Sequence, residues 1–192
     1  MRTADLVDQA RRTNLEEGYP GGILACDGSQ LAQSAGGAWV STWGAQGGQA
    51  WTKYVDGGMG NATTAETFAF VQSLPLAYER AVEKNRPVAL VTDSMGLVEA
   101  AVRSIDSLRR HLMKAATARP HLVSGNHVEH ALAVWDEGVV SVYHVKAHTS
   151  WSADAYDPGA LNHQADQLAK KLCHRAMVDY YRNRDLMRAK MV

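Results

Sequence analysis

The sequence predicts one α/β domain, and three observations carry that expectation. Short apolar runs joined by glycine turns fill its first third, helical periodicity sets in after Thr63, and further apolar runs then alternate with helical stretches. A length of 192 residues with 46% apolar content suits a single buried core with extensions.

The elements follow in order. Thr3 to Asn14 reads as a short helix capped by Thr3, closed by the turn Gly18-Tyr19-Pro20-Gly21-Gly22, which makes residues 1–21 an N-terminal helical extension. Ile23-Leu24-Ala25-Cys26 reads as a strand buried on both faces, broken by Asp27-Gly28-Ser29. Ala38 to Trp43 and Ala50 to Val55 give two more strands, hairpinned through Gly44 to Gly48, so the first three strands form an antiparallel meander. From Thr63 the residues Glu66, Ala69, Phe70, Ser73, Leu74 and Ala77 fall at helical spacing, with Thr63 or Thr64 as cap and a kink or restart expected at Pro75. Val88 to Thr92 is the fourth strand, and Ser94 can cap a helix carrying Leu97, Val98, Ala101 and Val102.

Residues 103 to 125 have no firm assignment; their Arg103, Arg109, Arg110, Lys114 and Arg119 read equally as a solvated helix face or as phosphate contacts. Asn126 to Trp135 reads as a helix and Val139 to Lys146 as the fifth strand. Thr149 to Leu161 lacks periodicity and is expected to be an exposed loop, and a long amphipathic helix is expected from Asn162. The core domain therefore spans 22–180, followed by a basic, fraying tail at 181–192.

Lysine plus arginine and aspartate plus glutamate both number 20, so no whole-chain basic field attracts nucleic acid and any such contact must be local. Cys26 and Cys173 have neither metal spacing nor a disulfide framework and read as reduced core residues. No apolar run reaches membrane-spanning length and the first twenty residues lack a signal-peptide stretch, so a cytoplasmic location without membrane contact is expected. Trp39, Trp43 and Trp51 read as sheet or core aromatics rather than stacking platforms.

Four acids stand at informative places: Asp27 and Asp93 each end an apolar run, and Glu66 and Asp166 each open a helix. Singly, each has an ordinary reading: Asp27 before glycine as a turn, Asp93 as a strand terminator, Glu66 as a helix former, Asp166 as a favourable charge in a first helical turn. Together they would repel one another and lose hydration unless a cation lay among them, so the set points to a divalent-metal site and a metal-dependent phosphodiesterase.

The ordered set Cys26-Asp27-Gly28-Ser29 with Gly36-Gly37-Ala38, Thr64-Ala65-Glu66, Thr92-Asp93-Ser94, Val145-Lys146-Ala147-His148 and Asn162-His163-Gln164-Ala165-Asp166 resembles the ribonuclease H family, type 1, over roughly residues 22 to 178. The resemblance implies a mixed five-stranded sheet flanked by helices. It also implies hydrolysis of the RNA strand of an RNA/DNA hybrid with two Mg2+ ions, Mn2+ serving as substitute. By that likeness Asp27 matches the bridging carboxylate and Asp166 holds the ion that activates water. Glu66 and Asp93 hold the ion at the leaving oxygen, and His148 matches the mobile histidine that aids proton transfer or product departure. Gly28, Ser29, Thr63 and Asn162 are the positions matched to substrate contact, with Gly28 allowing close backbone approach. A monomer is expected. The chain departs from the family pattern at Ala147 for glycine, at Ala62 and Thr63 for substrate-reading asparagines, at Met95 for glutamine, and in the eighteen positions from His148 to Asp166. Those departures leave two rivals: a resolvase-like DNA nuclease of the same fold, and a non-catalytic nucleic-acid-binding module.

Overall fold

A computed structural model describes residues 19–32, 34–52, 62–118, 123–135, 138–146 and 157–190. The expected N-terminal helix at Thr3–Asn14 lies outside the described residues, as do Arg119, His148 and residues 149–156 of the expected loop. The sheet comprises β1 (Gly22–Leu31), β2 (Ser34–Ser41), β3 (Gln46–Thr52), β4 (Val88–Thr92) and β5 (Val140–His144). The helices among the described residues are α1 (Ala62–Lys84), α2 (Met95–Arg103), α3 (Ile105–Ala118), α4 (Gly125–Val134) and α5 (Pro158–Ala189).

The five strands lie in the order β3-β2-β1-β4-β5. β1 pairs antiparallel with β2 and β2 with β3, while β1–β4 and β4–β5 are parallel. The expected meander and mixed sheet are both present. Alternation along β1 sorts its side chains: Leu24 and Cys26 enter the larger core beneath α1 to α4, whereas Ile23 and Ala25 enter the smaller core beneath α5. Burial on both faces explains why β1 and β4 read as continuous apolar runs. Cys26 and Cys173 are free, buried thiols, as expected. Trp39 and Trp51 pack on Phe68, with Trp51 edge-on at 4.6 Å between ring centroids, so they act as core-margin aromatics.

Four expectations need correction. β1 does not break at Asp27; β2 pairs with it through Leu31↔Ser34, and only the partner on the other side, β4, stops. α1 neither restarts at Pro75 nor takes a threonine cap: it runs unbroken from Ala62, because fully buried Leu74 and Ala77 hold both sides of the proline against the sheet. Each such buried leucine contributes about 1.5–3 kcal/mol, of the order of a proline's helix penalty of about 3 kcal/mol. Ser94 stands at the N-cap of α2 but makes no capping bond with its side chain. Finally, α5 starts at Pro158 rather than Asn162. Asp157 caps it, accepting from the Gly159 and Ala160 amides at 2.8 and 3.3 Å, and proline suits a first helical position. The same helix continues to Ala189, so the stretch after Asp179 does not fray there.

Candidate active site

A paired patch of glycines seats the first acid against the second. Gly28 on β1 lies directly opposite Gly37 on β2. A Cβ on Gly28 would collide with the Glu66 amide nitrogen and sit 2.5 Å from the Ala65 carbonyl carbon; one on Gly37 would lie 2.6 Å from the Ala65 oxygen and 2.9 Å from Ala69 Cβ. Helix α1 thus rests on bare backbone at its second turn, which brings Glu66 beside the β1 strand. The missing Gly28 side chain makes room for a helix, a closer constraint than the substrate approach implied by resemblance.

The second pair meets by register. Ala25 pairs with Val91 in parallel, so Asp27 and Asp93 stand level just beyond the last paired residues, where β4 has ended and β1 continues. This fork at the carboxyl end of parallel strands is where open α/β sheets place ligands. Asp166 arrives from α5, in its third turn, so its placement does not serve the helix dipole of a first turn.

All four acids line one cleft of about 490 Å³, together with Gly28, Ser29 and Asn162. Thr63, by contrast, is exposed in the first turn of α1 and is absent from the cleft wall, where Ala62 stands instead. Two further histidines stand near this end of the sheet: His163 lines the cleft and His144 ends β5. Sequence reading also passed over Gln30, Lys146, Gly159 and Lys170, which complete the wall. Lys170 had a readable signal, since a base four residues after an acid on a helix falls on the same face.

The electrostatics are those of a crowded anionic site. Asp27 is only 4% exposed, and its carboxyl is pushed from the ordinary 3.8 up to about 8 by burial first, then by the charges of Asp93, Asp166 and Glu66, against a Gly28 backbone hydrogen bond that lowers it. Glu66 is raised in the same way, mainly by burial, while a Ser94 hydroxyl hydrogen bond offsets part of the rise. Asp27 and Asp166 each have a side-chain tie of their own. Asn162 Nδ2 donates to Asp27 Oδ2 at 3.4 Å, and Lys170 Nζ reaches Asp166 Oδ2 at 2.6 Å. As they stand, no three acidic, histidine or cysteine groups among the described residues are gathered tightly enough to hold an ion. The donor chemistry nevertheless fits a hard divalent cation. The oxygens of four carboxylates converge on one cleft, and Asn162 Oδ1 is buried beside Asp27 without a hydrogen-bond partner.

The raised Asp27 has a sign-definite consequence for stability. Folded protein holds a proton there that the unfolded chain releases near pH 4, so the stabilisation is full below that pH and is lost as pH rises through about 8. In chelator, Asp27→Asn should therefore melt progressively higher than the parent as pH rises from 5 to 9. The gap should widen by up to about 1.4 kcal/mol per pH unit at its steepest. A gap that stays constant across that range in calorimetry would show that Asp27 is not held protonated.

The fold and the cleft together define a class: a mixed-sheet α/β domain with an acidic pocket at the fork between β1 and β4. The RNase H family model matches residues 21–174, and the chain belongs to that family. No curated protein matches the sequence. Among solved structures, the prototype foamy virus protease-reverse transcriptase superposes with a TM-score of 0.55 at 20% identity, over 80% of this chain and 21% of that one. The chain thus spans about a fifth of that protein. The solution structure of the RNase H domain from PFV gives 0.52 at 19% identity, covering 80% of this chain and 94% of that chain. A foamy viral protease-reverse transcriptase in complex with RNA/DNA hybrid gives 0.55 at 16% identity, over 82% and 20%. At these identities the likeness is one of fold. Among the described residues no helix is long and apolar enough to cross a membrane.

Proposed function

We infer that this chain is a metal-dependent endonuclease that hydrolyses the RNA strand of RNA/DNA hybrids. The single observation that carries the reading is the convergence of Asp27, Glu66, Asp93 and Asp166 on one cleft, with Asp27 buried and forced toward its protonated form. A site that costs this much repulsion in the absence of a cation is suited to binding one. Asp27 and Asp166 would hold one Mg2+ ion, and Glu66 and Asp93, together with Asp27, would hold a second. When bound, the pair supplies charge neutralisation for the attacking and leaving oxygens of an in-line phosphoryl displacement.

The remaining steps belong to the protein. Asn162 orients Asp27 through its amide, and Ser94 steadies Glu66. Lys170 balances Asp166 and stands with Lys146 on the cleft wall, where both would face a phosphate. Gly28 and Ser29 border the cleft where the ribose strand would lie, Thr63 would contact it from the rim of α1, and His148 would serve proton transfer or product departure. Support for the hybrid as substrate comes from family membership and from the similar fold solved with an RNA/DNA hybrid. A monomer acting in the cytoplasm completes the reading.

The test is cleavage of end-labelled RNA/DNA, RNA/RNA and DNA/DNA duplexes of one sequence with Mg2+, Mn2+ or chelator. Loss of only the hybrid's RNA strand, in either metal and not in chelator, is the expected result. Cutting of a DNA strand would move the activity to a DNA nuclease, and an intact set of duplexes at high enzyme would refute hydrolysis of them.

A further inference from the structure

Beyond the cleft, the positive charge of this electrically balanced chain gathers on one helix. Between residues 170 and 190 there are seven lysines and arginines against Asp179 and Asp185, although the whole chain balances 20 against 20. Burial on α5 ends at Cys173, so the last four turns and more offer side chains to solvent. They are not spread evenly round the helix. Lys170, His174, Met177, Tyr181, Arg184 and Arg188 recur at i, i+4, i+7, i+11, i+14 and i+18, which places them on one face at 3.6 residues per turn. Past Asp166 none of these positions is an acid, and Asp185 borders the face beside Arg184.

The face begins inside the cleft. Asp166, one turn before Lys170, and Lys170 itself both line it, and they are joined by the 2.6 Å ion pair. At its far end Arg184 lies over the Tyr181 ring at 4.9 Å from the centroid, also touching Asp185 at 3.6 Å, while Lys170, His174, Arg184 and Arg188 are exposed. A guanidinium held on an aromatic plane, flanked by further cations, is suited to a phosphate backbone with sugars or bases alongside. A protein partner of acidic character would also meet the charge, but continuity with the cleft favours the polyanion that the cleft itself would hold.

We propose that this face of α5 is a second nucleic-acid contact, a track that carries the substrate's backbone outward from the acidic cleft. The proposal rests on the nuclease reading above. From Lys170 to Arg188 the track runs about 27 Å at ~1.5 Å per residue, or about 8 base pairs at ~3.4 Å each. It lengthens the footprint without touching the chemistry.

The test measures binding of a short hybrid that fits the cleft alone and of one longer by about 8 base pairs, by fluorescence anisotropy over a salt series in the Asp27→Asn background. Adding Arg184→Gln/Arg188→Gln should weaken the long hybrid about tenfold and reduce its salt slope by about one to two, leaving the short one within about twofold. Arg175→Gln/Arg182→Gln removes equal charge from the neighbouring face and should cost less than about threefold. In the native background, cleavage of saturating short hybrid should be unchanged by either pair. Equal losses from both pairs, or none, would overturn the track while leaving the nuclease reading intact, as would sedimentation showing that Arg184 and Arg188 instead hold two copies together. Failure of the parent protein to bind either hybrid would refute both.

Discussion

Asp27→Asn is expected to lose at least roughly 10²–10³-fold in hydrolysis, with hybrid binding retained within a few fold. Three features make this the largest effect in the molecule. Asp27 is the most enclosed of the four acids by its burial, it interacts with all three others, and it stands on β1, which continues past the fork where β4 has ended. Asparagine keeps the shape and the contact with Asn162 but removes the charge on which the other carboxylates and a cation would converge. Single-turnover cleavage with excess enzyme separates chemistry from binding. Near-parental rates in Mg2+ would place the chemistry elsewhere and return the cleft to a binding role.

Gly28→Ala should be nearly as damaging, by a different route. One methyl group here meets backbone atoms of Ala65 and Glu66, which cannot rotate away, so α1 must lift or β1 must bend. Overpacking typically costs about 1–3 kcal/mol, and with backbone on the receiving side the upper end applies. For a domain of this size that lowers the melting temperature by about 6–12 °C. A helix displaced by an ångström carries Glu66 away from Asp27, so cleavage should fall by about a hundredfold even in molecules that remain folded. Thermal melting and cleavage, measured together at a temperature well below the transition, check both parts. A variant with parental melting and parental rate would mean that the contact between β1 and α1 is looser than the geometry requires.

The parts of the fold that could be read from the sequence were those governed by local pattern. β4 and its acid were placed correctly because four apolar residues and Thr92, followed by Asp93-Ser94, leave no competing period. The four acids were chosen from their positions at element ends, and all four reached the same cleft. What misled was long-range pairing. The end of β1 looked like a break because Asp27-Gly28-Ser29 has turn composition, yet β2 pairs across it, and nothing local reports a partner strand. Pro75 gave a similar error, since burial of Leu74 and Ala77 outweighs a local penalty. The start of α5 was readable, with Asp157 and Pro158 at N-cap and N1, but the composition of Thr149 to Leu161 hid it. Asn162 and Lys170 owe their partners to tertiary placement and to one turn of helix respectively, and only the second left a mark in the spacing.

The Asp157 cap carries a further implication for how such a chain can change. Because aspartate and proline define where α5 begins, the azimuth of Asp166 is fixed from within the helix, two turns downstream of a firm start. The connection between Lys146 and Asp157 is thereby uncoupled from that acid's aim. Apart from His148, its length and composition become a cassette, open to exchange between relatives or to design, so long as the aspartate-proline joint that receives it is kept.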